Sequence, residues 1–312
     1  MRVFVTGGTG LVGTRLVRAC CARGDEAVVL TREPSAAAAA RLASLGRVRL
    51  VPGDPAQTGA WQDEVRGCDA VIHLAGENIF SKRWGAEEKA LIRSSRVLGT
   101  RNVVAAIGRA PADLRPKTLV NASAVGYYGF RGDEELAEDG EPGSDFLASV
   151  CAEWEEEARA ASAHGTRVVV VRIGIVLDPS GGALRNMLPA FQMFLGGPVG
   201  SGKQWLSWIH AEDLVGLILF AVDRPEISGP LNAVAPEPVR MGAFAKALGA
   251  ALGRPSWLRV PAFALRLALG EVAEVLLHGQ RVVPRKALEA GYKFRYENVE
   301  AALRAALEAA CA

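Results

Sequence analysis

Gly7, Gly10 and Gly13, in the run Thr6-Gly-Gly-Thr-Gly-Leu-Val-Gly13, are spaced so that a chain leaving a strand can turn tightly, bare its backbone N–H groups and enter a helix. Unpaired donors and the dipole at a helix N-terminus favour an anion, and a dinucleotide diphosphate is its natural form. Gly8, Gly10 and Gly13 also fit the commoner Gly-x-Gly-x-x-Gly spacing, so the glycines alone do not choose between nucleotide-binding families. A glycine turn with no ligand is the competing reading. The strand-like Val3 to Val5 before it and the helical pattern Leu11, Leu16, Val17 after it favour the ligand. A second informative position closes the next strand, where Ala27-Val-Val-Leu30 runs into Thr31-Arg32. A carboxylate there would bind a free ribose 2′-hydroxyl, whereas a guanidinium suits a 2′-phosphate, so Thr31 and Arg32 point to NADP(H). Glu33 facing the ribose, or Arg32 as a solvated surface charge, are the alternatives. Arg15, early in the first helix, is either a further positive charge near the phosphates or an exposed one.

The elements that must position these residues follow from hydrophobic patterning. Apolar runs at Val3 to Val5, Ala27 to Leu30, Val48 to Val51, Ala70 to Leu74, Thr118 to Val120 and Val168 to Val171 alternate with helix-length segments. That rhythm predicts an α/β fold of Rossmann type, a doubly wound parallel sheet covered on both faces. After about Arg172 the chain turns to glycine- and proline-rich loops, including Gly196-Gly-Pro-Val-Gly-Ser-Gly202. We expect an NADP-binding domain over 1–175 and a smaller substrate-side lobe over 176–312, with Leu231 to Val234 available to return to the first sheet.

With 312 residues, half of them hydrophobic, the chain can bury a large core, and a formal charge of +2 gives no reason to expect nucleic acid or a membrane surface as partner. Cys20, Cys21, Cys68, Cys151 and Cys311 lack Cys-x-x-Cys spacing, and the scattered His73, His164, His210 and His278 give no metal signature. The first twenty residues hold a glycine turn where a secretory signal needs an apolar core, and no window spans a membrane, so the expected location is the cytoplasm. The stretch Phe263 to Leu277 is apolar almost all round and suits burial or a partner surface, which leaves a homo-oligomer open.

Together with the glycine run, Gly53-Asp54, Asp69-Ala-Val-Ile-His-Leu-Ala-Gly76 and Gly99-Thr100 resemble the extended short-chain dehydrogenase/reductase superfamily. More closely, Gly76-Glu-Asn-Ile79, Ser95-Arg-Val-Leu-Gly-Thr100, Trp208-Ile-His-Ala-Glu-Asp213 and Gly279-Gln-Arg-Val-Val-Pro284 resemble the SDR39U1-type epimerase family proteins, which carry a short C-terminal domain. The resemblance runs nearly end to end. It implies cofactor contacts from Thr6, Gly7, Gly10, Leu11, Val12 and Gly13, from Asp54 near the adenine, and from Leu74, Ala75 and Gly76 at the end of the fourth strand. For Asp54 and Gly76, simple turn chemistry is the alternative. Arg96, where related enzymes carry Asn, is counted with these cofactor contacts, and its guanidinium could also polarise a carbonyl or bind an anionic substrate group.

Enzymes of this superfamily use a Tyr as acid or base, a Lys four residues later to lower its pKa, and a Ser on the substrate oxygen. Ser123, in Asn121-Ala-Ser-Ala-Val-Gly-Tyr-Tyr-Gly129, matches the Ser; Phe146 and Val150 stand where the Tyr and Lys should be. Neither can move a proton. Tyr127 or Tyr128 could substitute from the Ser123 loop, with side-chain packing as the alternative, and Cys151 is expected to be a buried apolar residue rather than a nucleophile. The expected function is an NADP(H)-dependent oxidoreductase or epimerase-like enzyme for a small molecule; the alternative is an NADP(H)-binding redox sensor or scaffold.

Overall fold

The computed structural model describes residues 1–311. Seven strands form a parallel sheet: β1 (Arg2–Thr6), β2 (Glu26–Thr31), β3 (Val48–Pro52), β4 (Ala70–His73), β5 (Thr118–Ala124), β7 (Arg167–Ile173) and β11 (Gly229–Ala233), with β6 (Glu135–Leu136) outside it. Their spatial order is β11-β7-β5-β4-β1-β2-β3, so the strand order reverses between β1 and β4. Ligands of open α/β sheets bind at the carboxyl ends of the strands flanking such a reversal.

Alternation within the strands divides the core. Val3 and Val5 face one side with Leu16, Val17 and Cys20 of α1 (Leu11–Ala22), while Phe4 between them faces the other. After α2 (Ala37–Ala43), that second face is covered by Val103, Val104 and Ile107 of α3 (Ala86–Arg109) and Ala158 of α4 (Phe146–Arg159). The first face is completed from beyond residue 175. The chain runs through β8 (Ile175–Leu177), α5 (Gly182–Gln192), β9 (Trp205–Leu206) and β10 (Trp208–His210), then returns as α6 (Ala211–Asp223), whose Leu214, Leu217 and Ile218 pack under the sheet. β11 follows and pairs with β7, Leu231 opposite Val171. The sheet thus takes its last helix and strand from the segment after 175, following an excursion that separates them from β7.

That excursion and the C-terminal segment share a third core. Leu184 and Phe191 of α5 and Trp208 of β10 pack with Phe244 and Leu248 of α7 (Met241–Leu252), which follows β12 (Val239–Arg240), and with Leu303 of α11 (Val299–Cys311). Phe263 to Leu277 is not one buried helix. Gly270, at φ 65°, ends α8 (Ala262–Leu269), and α9 (Ala273–Leu277) starts after a short turn. α8 has no buried residue, and Phe263 and Leu267 are 72% and 77% exposed. Among the described residues, no helix is long and apolar enough to cross a membrane.

Candidate functional site

The glycine run forms a turn closed by Gly10 N–H donating to Gly7 O at 3.0 Å, after which α1 begins with Gly10 as its extended cap. Gly7 has φ 67°, and a Cβ on it would lie 2.8 Å from the Leu74 carbonyl carbon; a Cβ on Gly13 would lie 2.1 Å from Gly7 O. Only glycine fits either place, so the turn packs closely against the end of β4 and against its own backbone, while Gly10 at the head of α1 is exposed. Thr6 ties this turn to β4: its Oγ1 lies 2.6 Å from His73 Nδ1 and accepts the Ala75 N–H at 3.3 Å. His73 is fully buried, and burial pulls its pKa down to about 4, so the ring is neutral.

Leu11, Leu74 and Ala75 are half-buried around the turn, and Gly76 is exposed beyond them. At the end of β2, Thr31 is buried and its Oγ1 accepts the Glu33 N–H, while Arg32 is exposed and has no ion pair among the described residues. Asp54 follows β3, half-buried, with Oδ1 accepting the Ala56 N–H at 2.9 Å in a local turn. Thr6, Gly7, Gly10, Leu11, Val12, Gly13, Leu74, Ala75 and Gly76 therefore gather at the reversal of strand order, with Arg32 and Asp54 towards the β3 side.

Arg96 reaches this cleft from α3. It donates from Nη1 to Ile92 O at 3.1 Å and from Nη2 to Glu77 O at 2.9 Å, and lies 5.3 Å over the Trp154 ring. A Cβ on Gly76 would lie 3.2 Å from its Cζ. Burial lowers its pKa, yet among the described residues no carboxylate pairs with it. A half-buried guanidinium with donors to spare can receive an anion or a carbonyl oxygen.

The hydroxyl groups are arranged differently from one another. Ser123 is buried and donates to Glu155 Oε1 at 2.8 Å. Glu155 is itself fully buried and makes a bidentate pair with Arg172, Nε to Oε1 and Nη2 to Oε2, both at 2.9 Å. Arg172 Nη1 also donates to the Tyr128 hydroxyl at 2.9 Å, and that hydroxyl donates to Asn232 Oδ1 at 2.7 Å. Tyr128 is fully buried, and burial pushes its pKa up to about 12 against the pull of Arg172. Tyr127 is half-buried, its ring centroid 3.5 Å from Arg172 Cζ. Phe146 packs edge-on against Trp84 with the Lys89 ammonium 5.0 Å from its ring, and Val150 is buried. Burial raises the Cys151 thiol to about 12, which leaves it unreactive.

Sequence reasoning did not find Glu155, Arg172 or Asn232, whose side chains converge from α4, β7 and β11. It also did not find Asp178, which binds Arg15. His210 and Asp213 hold the C-terminal segment: the His210 ring packs at a tilt against Tyr296, centroids 4.0 Å apart, and the Asp213 carboxylate accepts the Arg295 and Tyr296 N–H groups at 2.7 and 3.0 Å.

Comparison with known proteins agrees with this fold. Residues 3–233 match the NAD dependent epimerase/dehydratase family, and residues 260–306 match a domain of unknown function, DUF1731. The chloroplastic epimerase family protein SDR39U1 homolog of Arabidopsis thaliana is 47% identical over 309 residues, covering 99% of this chain and 87% of that protein. Epimerase family protein SDR39U1 of Bos taurus is 40% identical over 309 residues, covering 97% of this chain and 99% of that one. The crystal structure of human epimerase family protein SDR39U1 (isoform 2) with NADPH aligns over 99% of each chain at 35% identity, with a TM-score of 0.86. A UDP-glucuronic acid 4-epimerase from Bacillus cereus in complex with NAD shares the fold at 16% identity and a TM-score of 0.79, over 99% of this chain and 98% of that one.

Proposed function

Because the chain belongs to the NAD-dependent epimerase/dehydratase family, we propose that it is an NADP(H)-dependent oxidoreductase or epimerase-like enzyme acting on a small molecule that presents a carbonyl or anionic oxygen to Arg96. The observation that carries the cofactor half is the side-chain-free turn at Gly7 and Gly13 with the exposed, unpaired Arg32 beside it. The human relative crystallised with NADPH supports the same choice of coenzyme.

When bound, the dinucleotide supplies or accepts a hydride at its nicotinamide ring. The chain's own residues do the rest. The free N–H groups of Leu11, Val12 and Gly13 hold the diphosphate, Thr31 and Arg32 receive the 2′-phosphate, and Asp54 borders the adenine. Leu74, Ala75 and Gly76 let the coenzyme lie against backbone. Arg96 orients and polarises the substrate oxygen. Tyr127 is the proposed proton donor, because Tyr128 spends its hydroxyl on Arg172 and Asn232 and Ser123 spends its own on Glu155. Ser123 and Tyr128 then fix the floor on which Tyr127 rests.

NADPH oxidation followed across a panel of small carbonyl compounds tests this reading, with Tyr127→Phe and Arg96→Leu as variants. Turnover by the wild type that falls in both variants supports it. Tight NADPH binding with no turnover on any carbonyl favours the second reading, a non-catalytic NADP(H) sensor. Phe146 and Val150 at the Tyr and Lys positions are the observation behind that alternative.

A further inference from the structure

Arg15 and Asp178 form an ion pair that spans 163 residues and joins α1 to the loop after β8. Among the described residues Arg15 bonds through Nε alone, to Asp178 Oδ2. The carboxylate is fully buried, and its Oδ1 accepts the Ser180 N–H at 2.9 Å and the Ser180 hydroxyl at 2.7 Å, so it cannot swing away. Arg15 keeps 38% of its side chain exposed, and neither Nη has a protein partner among the described residues. The pair lies beside the head of α1. Leu11, four residues before Arg15 and therefore on the same helix face, meets the loop at Gly181, where an added Cβ would be 2.8 Å from Leu11 Cδ1. Side chains on a helix lean towards its N-terminus, which carries the guanidinium back towards the turn that the coenzyme reading assigns to the diphosphate.

We infer that Arg15 is a further ligand of the dinucleotide diphosphate, and that Asp178 is a positioning residue that fixes Nε so both Nη groups face the phosphates. This rests on the proposed coenzyme binding. The consequence is a difference between two arginines: Arg32 serves the 2′-phosphate, found only in NADPH, whereas Arg15 serves a group that NADH and NADPH share. Asp178 adds no phosphate contact of its own. Its whole effect on affinity passes through Arg15.

Isothermal titration of the full chain with NADPH and with NADH tests this. Arg15→Ala should weaken both coenzymes by a similar factor of about ten, the size expected for losing charge-assisted bonds to phosphate. Asp178→Asn should weaken both by about threefold, and should have no further effect in an Arg15→Ala background. Thermal midpoints without coenzyme establish that each variant is folded; if Asp178→Asn is not, Ser180→Ala, which loosens the same carboxylate, takes its place. Unchanged affinities in Arg15→Ala overturn the inference, as does a loss confined to NADPH. An Asp178→Asn effect that persists without Arg15 overturns the positioning role. Wild-type protein that binds neither coenzyme overturns the coenzyme reading itself, and with it this inference.

Discussion

Arg172 and Glu155 face each other in a two-bond ion pair inside the protein, the arginine 2% exposed and the glutamate not at all. Ser123, Tyr128 and Tyr127 all touch it, so the pair ties α4 and β7 to the loop after β5 that carries these hydroxyls. Removing one partner strands a charge in a low-dielectric site. Glu155→Ala should cost about 3–5 kcal/mol of unfolding free energy in urea titrations. The double variant Glu155→Leu with Arg172→Met should cost less than either single change to alanine, because no unpaired charge is left behind. A double variant whose cost equals the sum of Glu155→Leu alone and Arg172→Met alone would show that the two residues are not coupled.

His73 makes stability depend on pH in a stated direction. Its folded pKa, about 4, is below its ordinary 6.5, so the unfolded chain takes up a proton that the folded one refuses. The contribution is complete above pH 6.5 and is lost as pH falls from 6.5 towards 4. The stability lost across this window amounts to about 3 kcal/mol. Denaturant titrations of wild type and His73→Gln across this window should differ in slope, the variant being the flatter. Parallel slopes would assign the acid sensitivity elsewhere.

Arg32→Ala should weaken NADPH by roughly 10- to 100-fold and leave NADH unchanged, as the loss of a phosphate-binding guanidinium requires. Equal losses for the two coenzymes would remove the 2′-phosphate from its assignment.

For Arg96 the expected separation is between binding and turnover. Arg96→Leu should leave NADPH affinity within about twofold and lower kcat/KM by about 100-fold on any carbonyl that the wild type reduces, the scale of one lost electrostatic contact. A coenzyme affinity that falls in parallel would place Arg96 against the nucleotide instead.

The parts of this architecture that are legible in sequence are those where both neighbours of a residue agree. Val3 to Val5, Ala27 to Leu30 and Val168 to Val171 are strands buried on both faces, so every position is apolar and the pattern is plain. The glycine turn is legible because its backbone forbids other residues. Glu155 is not, since it stands in the acidic run Glu153, Glu155, Glu156, Glu157 and its partner lies on another element. Helical spacing does not say which of four carboxylates will find an arginine inside. For Phe263 to Leu277 the apolar pattern allows burial or a partner surface, and Phe263 and Leu267 are not buried. Arg83 binds the backbone carbonyls of Leu267 and Ala268, and Lys89 pairs with Glu271, so polar ties rather than burial of Phe263 and Leu267 secure α8.

The late arrival of β11 has a bearing on how the protein can be made and cut. A nascent chain released at residue 175 would have β7 as a bare sheet edge and Val169 and Val171 without the Leu214, Leu217 and Ile218 that cover their face. Such an edge invites pairing with other chains. A soluble fragment of the nucleotide-binding half must therefore carry the chain through Ala233, and a ribosome must translate as far as β11 before that half can close.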